Sequence, residues 1–140
     1  MEYLKQIVDY GIIGILVLLS IISVAIAIER IGYYRKVDIL KFSNVKELET
    51  DLTKGLHIIA TIGANAPYIG LLGTVLGIML TFYTIGQEGL VDSKKVMVGL
   101  ALALKATAMG LLVAIPSIFL YNFLLKHIRY SNNLYLKFSL

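Results

Sequence analysis

Within the long apolar stretches of this sequence, two threonines and one lysine stand out as residues able to do chemistry: Thr74, Thr107 and Lys105. A hydroxyl both donates and accepts a hydrogen bond. A pair facing each other at similar depth can therefore line a polar path through an apolar region. A threonine inside a helix can equally turn its hydroxyl back to the carbonyl one turn earlier, and spacing alone leaves both readings open. The sequence has no cysteine, and His57 and His127 stand apart from each other and from any acidic cluster. No metal site, cofactor site, nucleophile or acid–base pair is suggested, so the chain is not expected to be an enzyme.

Lys105 is unusual in its place. A lysine near the end of a membrane helix can extend its ammonium to the interface. Counting from Val96, however, Lys105 lies about 13 Å along a helix rising 1.5 Å per residue. It also points about 200° away from Thr107 at 100° per residue. A role at a subunit interface, or in pairing with a partner's carboxylate, is therefore expected.

Small residues surround these positions at helical spacing. Gly63, Ala66, Gly70, Gly73, Thr74, Gly77, Thr81 and Thr84 form one stripe, and Gly99, Ala103, Thr107, Gly110, Ala114 and Ser117 a second. Apolar helices in lipid have no hydrophobic drive to associate, so close backbone approach along small residues and interhelical hydroxyl bonds must hold them together. Gly70, Gly73, Gly77 and Gly110 are expected to serve helix packing.

The elements that carry these residues follow from charge and hydropathy. The chain has 140 residues, 58% of them hydrophobic, and a formal net charge of +4; its mean hydropathy is +0.81. Charges crowd residues 29–57, whereas 11–28 and 58–85 hold none and 96–125 holds only Lys105. A helix needs about 20 apolar residues to cross a bilayer. Three spans are expected, at about 11–29, 58–85 and 96–125, joined by a connector at about 30–57, in a single domain over residues 1–140. The first reads as a retained span, because Glu2, Lys5 and Asp9 precede it and Arg30, Arg35 and Lys36 follow.

Arg30, Arg35, Lys36, Lys41, Lys46, Lys54, Lys126, Arg129 and Lys137 fall in the connector or tail, against Lys5, Lys94 and Lys95 on the other side. Positive charge is retained in the cytoplasm. The N-terminus is therefore expected outside, the C-terminus inside, and the basic residues to answer to lipid, with no nucleic-acid partner. In the connector, Val45, Leu48, Leu52, Leu56 and Ile59 recur at helical spacing behind Asn44 and Glu47, a capping-box pair. A short amphipathic helix leading into the second span is expected.

The stretch Ala66-Pro67-Tyr68-Ile69-Gly70-Leu71-Leu72-Gly73-Thr74-Val75-Leu76-Gly77-Ile78-Met79 resembles the signature of the ExbB, TolQ and MotA family. So does Ala103-Leu104-Lys105-Ala106-Thr107-Ala108-Met109-Gly110-Leu111-Leu112-Val113-Ala114-Ile115-Pro116. The Glu29-Arg30 pair ending the first span fits as well. The resemblance implies an all-α integral membrane protein of the bacterial inner membrane. Spans two and three would line the pore of a homo-oligomeric, pentameric ring around an ExbD-like partner with a membrane aspartate. Proton flow would act on a TonB-like protein that opens outer-membrane importers, as for iron complexes.

By the same resemblance Thr74 and Thr107 match paired pore threonines, Pro67 and Pro116 the family's prolines, and the four glycines its packing positions. Two features depart from the pattern. The connector and tail are short, which disfavours a flagellar stator, and Leu102 stands where many ExbB-like chains carry a glutamate. The carboxylate of a proton relay would then come from the partner. A TolQ-like subunit of the Tol-Pal system is the nearest alternative, and a non-conducting scaffold an alternative of another class.

Overall fold

The computed structural model describes residues 2–139 and is helical almost throughout. Helix α1 spans Glu2–Lys36, α2 Val45–Leu52, α3 Leu56–Glu88 and α4 Ser93–Ser139, with one 3-10 turn at Ile39–Lys41. Three of them, α1, α3 and α4, are long and apolar enough to cross a membrane. Their outward faces carry large apolar side chains such as Leu18, Ile21, Phe82, Leu112, Phe119 and Phe123. Such a surface suits hydrocarbon or another helix, not water.

Helices α3 and α4 form an antiparallel hairpin closed by Gly89, whose φ of 73° ends α3 in the left-handed region. Glycine enters that region without the steric cost a side chain would add. Helix α1 runs alongside, burying Ile12, Leu16, Ser23, Ala27, Arg30 and Tyr34. These recur at steps of three, four or seven residues, so they form one face. The Ser23 and Ser117 hydroxyls are 3.0 Å apart and tie α1 to α4.

Two packed regions result. One lies between the spans and includes Ile12, Leu16, Ala66, Ala106 and Val113. The other lies where the connector folds back, and gathers Ala27, Tyr34, Leu48, Leu52, Leu56, Ile59, Leu124, Ile128 and Tyr135. The end of the bundle bearing this second core is called the connector end below, and the opposite one the loop end.

Asn44 caps α2, its side chain accepting from the Glu47 N–H at 2.8 Å. The amphipathic connector helix is shorter than its periodicity suggests. Gly55, at φ 81°, interrupts it, and Leu56 and Ile59 belong to α3. Arg30 fixes the connector to α1. It donates to both Glu29 carboxylate oxygens at 2.7 and 2.9 Å and to the Asp51 carbonyl at 2.9 Å. Its guanidinium also lies 4.5 Å from the centre of the Tyr33 ring. Tyr34 donates to the Leu52 carbonyl at 2.5 Å, and Tyr135 to that of Phe42 at 2.7 Å.

The helices overrun the spans expected from hydropathy. Helix α1 begins at Glu2, not near residue 11, and α4 continues through the tail to Ser139. Charge marked where the apolar runs stop, but a helix with a partner to pack against has no reason to stop there.

Candidate functional site

The small stripes of α3 and α4 meet each other within one chain. A Cβ built on Gly70 would stand 2.6 Å from the Ala106 carbonyl oxygen and 3.1 Å from the Gly110 Cα, and one on Gly110 2.6 Å from the Ala66 carbonyl oxygen. The two backbones are therefore in contact at that level, which only glycine permits. Nearer the loop end, a Cβ on Gly77 would stand 2.9 Å from the Ala103 Cβ, and one on Gly99 2.4 Å from the Thr81 side chain. Gly73 faces Ala106 and, from α1, Ile12. These glycines hold the hairpin itself closed.

One turn from the Gly70–Gly110 contact, the threonine hydroxyls come together. Thr74 donates to the Ala103 carbonyl across the helix interface at 2.8 Å and is in hydrogen-bond contact with the Thr107 hydroxyl. Its own-helix alternative, the Gly70 carbonyl, is more distant at 3.4 Å. The Thr74 hydroxyl is thus directed across the helix interface more closely than back to its own helix. Thr74 is buried and Thr107 half-buried, so the pair has one side in the hairpin and one reachable from outside the chain.

Thr81, Thr84 and Ser117 instead donate to the carbonyls of Gly77, Leu80 and Val113, each one turn earlier. Pro67 and Pro116 both lie inside continuous helices. Pro67 is half-buried, whereas Pro116 is on the exposed side of α4.

Lys105 keeps half of its side chain exposed. Its ammonium is 3.8 Å from an Asp9 carboxylate oxygen in α1 of the same chain. Asp9 lay outside the first span by hydropathy and had no assigned role. The signal that could have found it is the buried face of α1. Stepping back from Leu16 and Ile12 at helical spacing leads to Asp9 and Lys5, so both carry that face toward the hairpin.

Among the described residues no group of three or more His, Asp or Glu side chains is placed to hold a metal ion. The site is thus built from hydroxyls, backbone carbonyls and one ion pair, embedded in apolar helices.

Residues 37–135, which hold both threonines, the glycine contacts and the connector helix, match the MotA/TolQ/ExbB proton channel family. The chain belongs to that family. Its membership makes it a membrane protein of a transport family, one whose known members are channels. The chain is 57% identical over 129 residues to the biopolymer transport protein ExbB of Aquifex aeolicus, covering 92% of this chain and 87% of that one. It is 50% identical over 126 residues to the biopolymer transport protein ExbB of Helicobacter pylori, covering 90% and 87%. The match to the ExbB of Pseudomonas putida is 44% over 72 residues, covering 51% of this chain and 22% of that one. Short ExbB proteins of this architecture therefore exist beside much longer ones, and the short connector does not set the chain apart from the family.

Proposed function

We propose that this chain is an ExbB-like proton-channel subunit of a bacterial inner-membrane motor. It assembles as a homo-oligomeric ring, pentameric by family resemblance, around an ExbD-like partner that supplies a membrane aspartate. Proton flow through the ring drives a TonB-like protein and so energises import across the outer membrane. The N-terminus lies outside and the connector and C-terminus in the cytoplasm, as the distribution of Lys and Arg favours.

The observation that carries the reading is the Thr74–Thr107 hydroxyl contact bridging α3 and α4 beside the Ala103 carbonyl. Desolvating a carboxylate or a proton-carrying water is costly in an apolar helix bundle. Two hydroxyls at one level, with one of them half-exposed, offer donors and acceptors there without adding charge. With Thr74 donating to Ala103 and accepting from Thr107, a lone pair of the half-exposed Thr107 hydroxyl is free to accept from the partner's protonated carboxyl, and Thr107 becomes a donor to the carboxylate by turning away from Thr74. The glycine contacts support the same reading, because a hairpin closed at backbone distance leaves no leak path between α3 and α4.

The similarity to ExbB proteins along most of the chain favours the ExbB assignment over a TolQ-like one. The test is reconstitution of the chain with its partner in vesicles carrying a pH-sensitive dye. An imposed proton gradient should be dissipated by the wild type, and about tenfold or more slowly by Thr74→Val or Thr107→Val assembled to the same extent. Equal proton flux in all three would leave the threonines as packing residues, and no flux in any of them would favour a scaffold.

A further inference from the structure

Asn65 carries an amide on the exposed side of α3. Its depth follows from its neighbours. A Cβ on Gly63 would stand 3.6 Å from the Ser117 Cβ, and the Ser117 hydroxyl meets Ser23 of α1. A Cβ on Gly73 would stand 3.1 Å from the Ile12 side chain of α1. Asn65 lies between those two levels, opposite the middle of the uncharged run 11–28. The orientation of its amide is fixed, because Nδ2 donates to the Thr61 carbonyl at 2.8 Å. The neighbouring Thr61 hydroxyl is turned back to the His57 carbonyl at 2.7 Å. One N–H and the side-chain carbonyl oxygen of Asn65 are left over on that exposed flank.

The other flank of the hairpin has the complementary lack. Pro116 has no N–H, so the Leu112 carbonyl one turn earlier loses its helical bond. Both residues are on the exposed side of α4, Leu112 being 65% exposed. Freed carbonyls in membrane helices are satisfied by side chains of neighbouring helices or by water. Leu112 is about 3 Å along α4 from Gly110, and a Cβ on Gly110 would stand 2.6 Å from the carbonyl oxygen of Ala66, the residue next to Asn65. The unmet donor and the unmet acceptor are therefore at matching depth.

They cannot meet within one chain. Asn65 is nine residues before Thr74 and Pro116 nine after Thr107, each about 180° round its helix at 100° per residue. Thr74 and Thr107 face each other across the seam, so Asn65 and Pro116 point away from it on opposite sides. Hydrocarbon has no polar group to offer either of them. Copies arranged head to tail about an axis along the membrane normal bring one flank of a hairpin against the other flank of the next, and keep equal depths equal.

We infer that Asn65 of one copy donates its free N–H to the Leu112 carbonyl of the next, so that the α3 flank around Asn65 and the α4 flank around Pro116 form the contact between copies. The occupant of each flank is a second copy of this chain. The contact rests on the ring-forming part of the proposed function and is independent of proton conduction.

The chain has no cysteine, so the test is an introduced pair, Asn65→Cys with Leu112→Cys, oxidised with copper phenanthroline in native membranes. A ladder of disulfide-linked multimers that needs both cysteines is expected. In parallel, Asn65→Leu should speed ring dissociation in mild detergent about threefold, the effect of one interhelical hydrogen bond. It should have no such effect in a Pro116→Ala background, where the Leu112 carbonyl regains its bond within α4. Oligomers that form no disulfide between positions 65 and 112 would overturn the inference, as would a dimer from Asn65→Cys alone, which sets that flank against itself. So would ready labelling of position 65 in the assembled Asn65→Cys protein by a water-soluble maleimide, which puts it in an aqueous lumen, or an equal effect of Asn65→Leu with and without Pro116. A missing disulfide in a chain that still conducts protons in the vesicles described above removes this contact and leaves the motor reading; linked multimers without flux do the reverse.

Discussion

Gly70→Ala is the smallest change that probes whether the hairpin is held at backbone distance. The added methyl would meet the Ala106 carbonyl oxygen at 2.6 Å, where a carbon–oxygen contact needs about 3.3 Å. The obstruction is backbone, as is the next atom, the Gly110 Cα at 3.1 Å, so no side chain can swing away. The helices must separate locally by about 0.7 Å to restore that contact distance. Overpacking of this kind costs about 1–3 kcal/mol, and the upper end applies because only whole helices can yield. Alanine returns about 1 kcal/mol through its better helix propensity. The net loss is about 2 kcal/mol, or roughly thirtyfold in the unfolding equilibrium.

Since Thr74 is one turn away, its 2.8 Å bond to the Ala103 carbonyl should stretch beyond bonding range as well. The control is Gly86→Ala in the same helix, where a Cβ would meet nothing within 4 Å and the same propensity gain of about 1 kcal/mol should appear as stabilisation. Unfolding in graded mixtures of mild and denaturing detergent reads both. If Gly70→Ala proves as stable as Gly86→Ala, the backbone contact between α3 and α4 does not exist as described.

Thr74→Val and Thr107→Val should each lower hairpin stability by only about 0.6–1.7 kcal/mol, the range for one interhelical hydrogen bond in a membrane, while lowering proton-driven import far more. A fall in import no larger than the fall in assembled protein would limit the threonines to packing. Arg30→Lys should loosen the connector almost as much as Arg30→Met, by about 2 kcal/mol, since an ammonium cannot reproduce the planar fork and the stacking on Tyr33; limited trypsin cleavage at Lys46 and Lys54 measures it, and full protection in the Lys variant would refute the fork argument. The sequence lacks cysteine, so single cysteines at positions 46 and 87 report sidedness directly. An impermeant reagent applied to intact cells should label position 87 and leave position 46 unlabelled, and the reverse pattern would invert the orientation.

Much of the helical architecture can be read from apolar run length, because a bilayer imposes one dimension on every span. The Thr74–Thr107 encounter was also within reach, since small residues three and four apart mark the one face along which two helices can approach. Spacing could not say whether the stripes of α3 and α4 meet each other or those of a neighbour; the short Gly89 turn decides that, by folding one chain's stripes together. Nor could charge counting find the Asp9–Lys105 pair. It ended the first span short of Asp9 and left Lys105 alone inside the third, and it carries no information on which side chains of two different helices face each other. Gly55 shows the converse error: the apolar period runs on through it, but the backbone there turns left-handed and breaks one expected helix into two.

The unbroken length of α4 has a mechanical consequence. Its 47 residues extend about 70 Å at 1.5 Å per residue, from the loop end past the connector core. It is a stiff lever shared by the two ends of the molecule. A tilt of only about 3° about the loop end would carry its far tip about 4 Å sideways over that length, enough to shift Ile128 and Tyr135 against Leu48 and Leu52. Pro116, which lacks the N–H that would bond the Leu112 carbonyl, is where such a lever bends most readily. A small displacement beside Thr107 would change in size along this helix before it met the connector helix, against which Ile128 and Tyr135 pack.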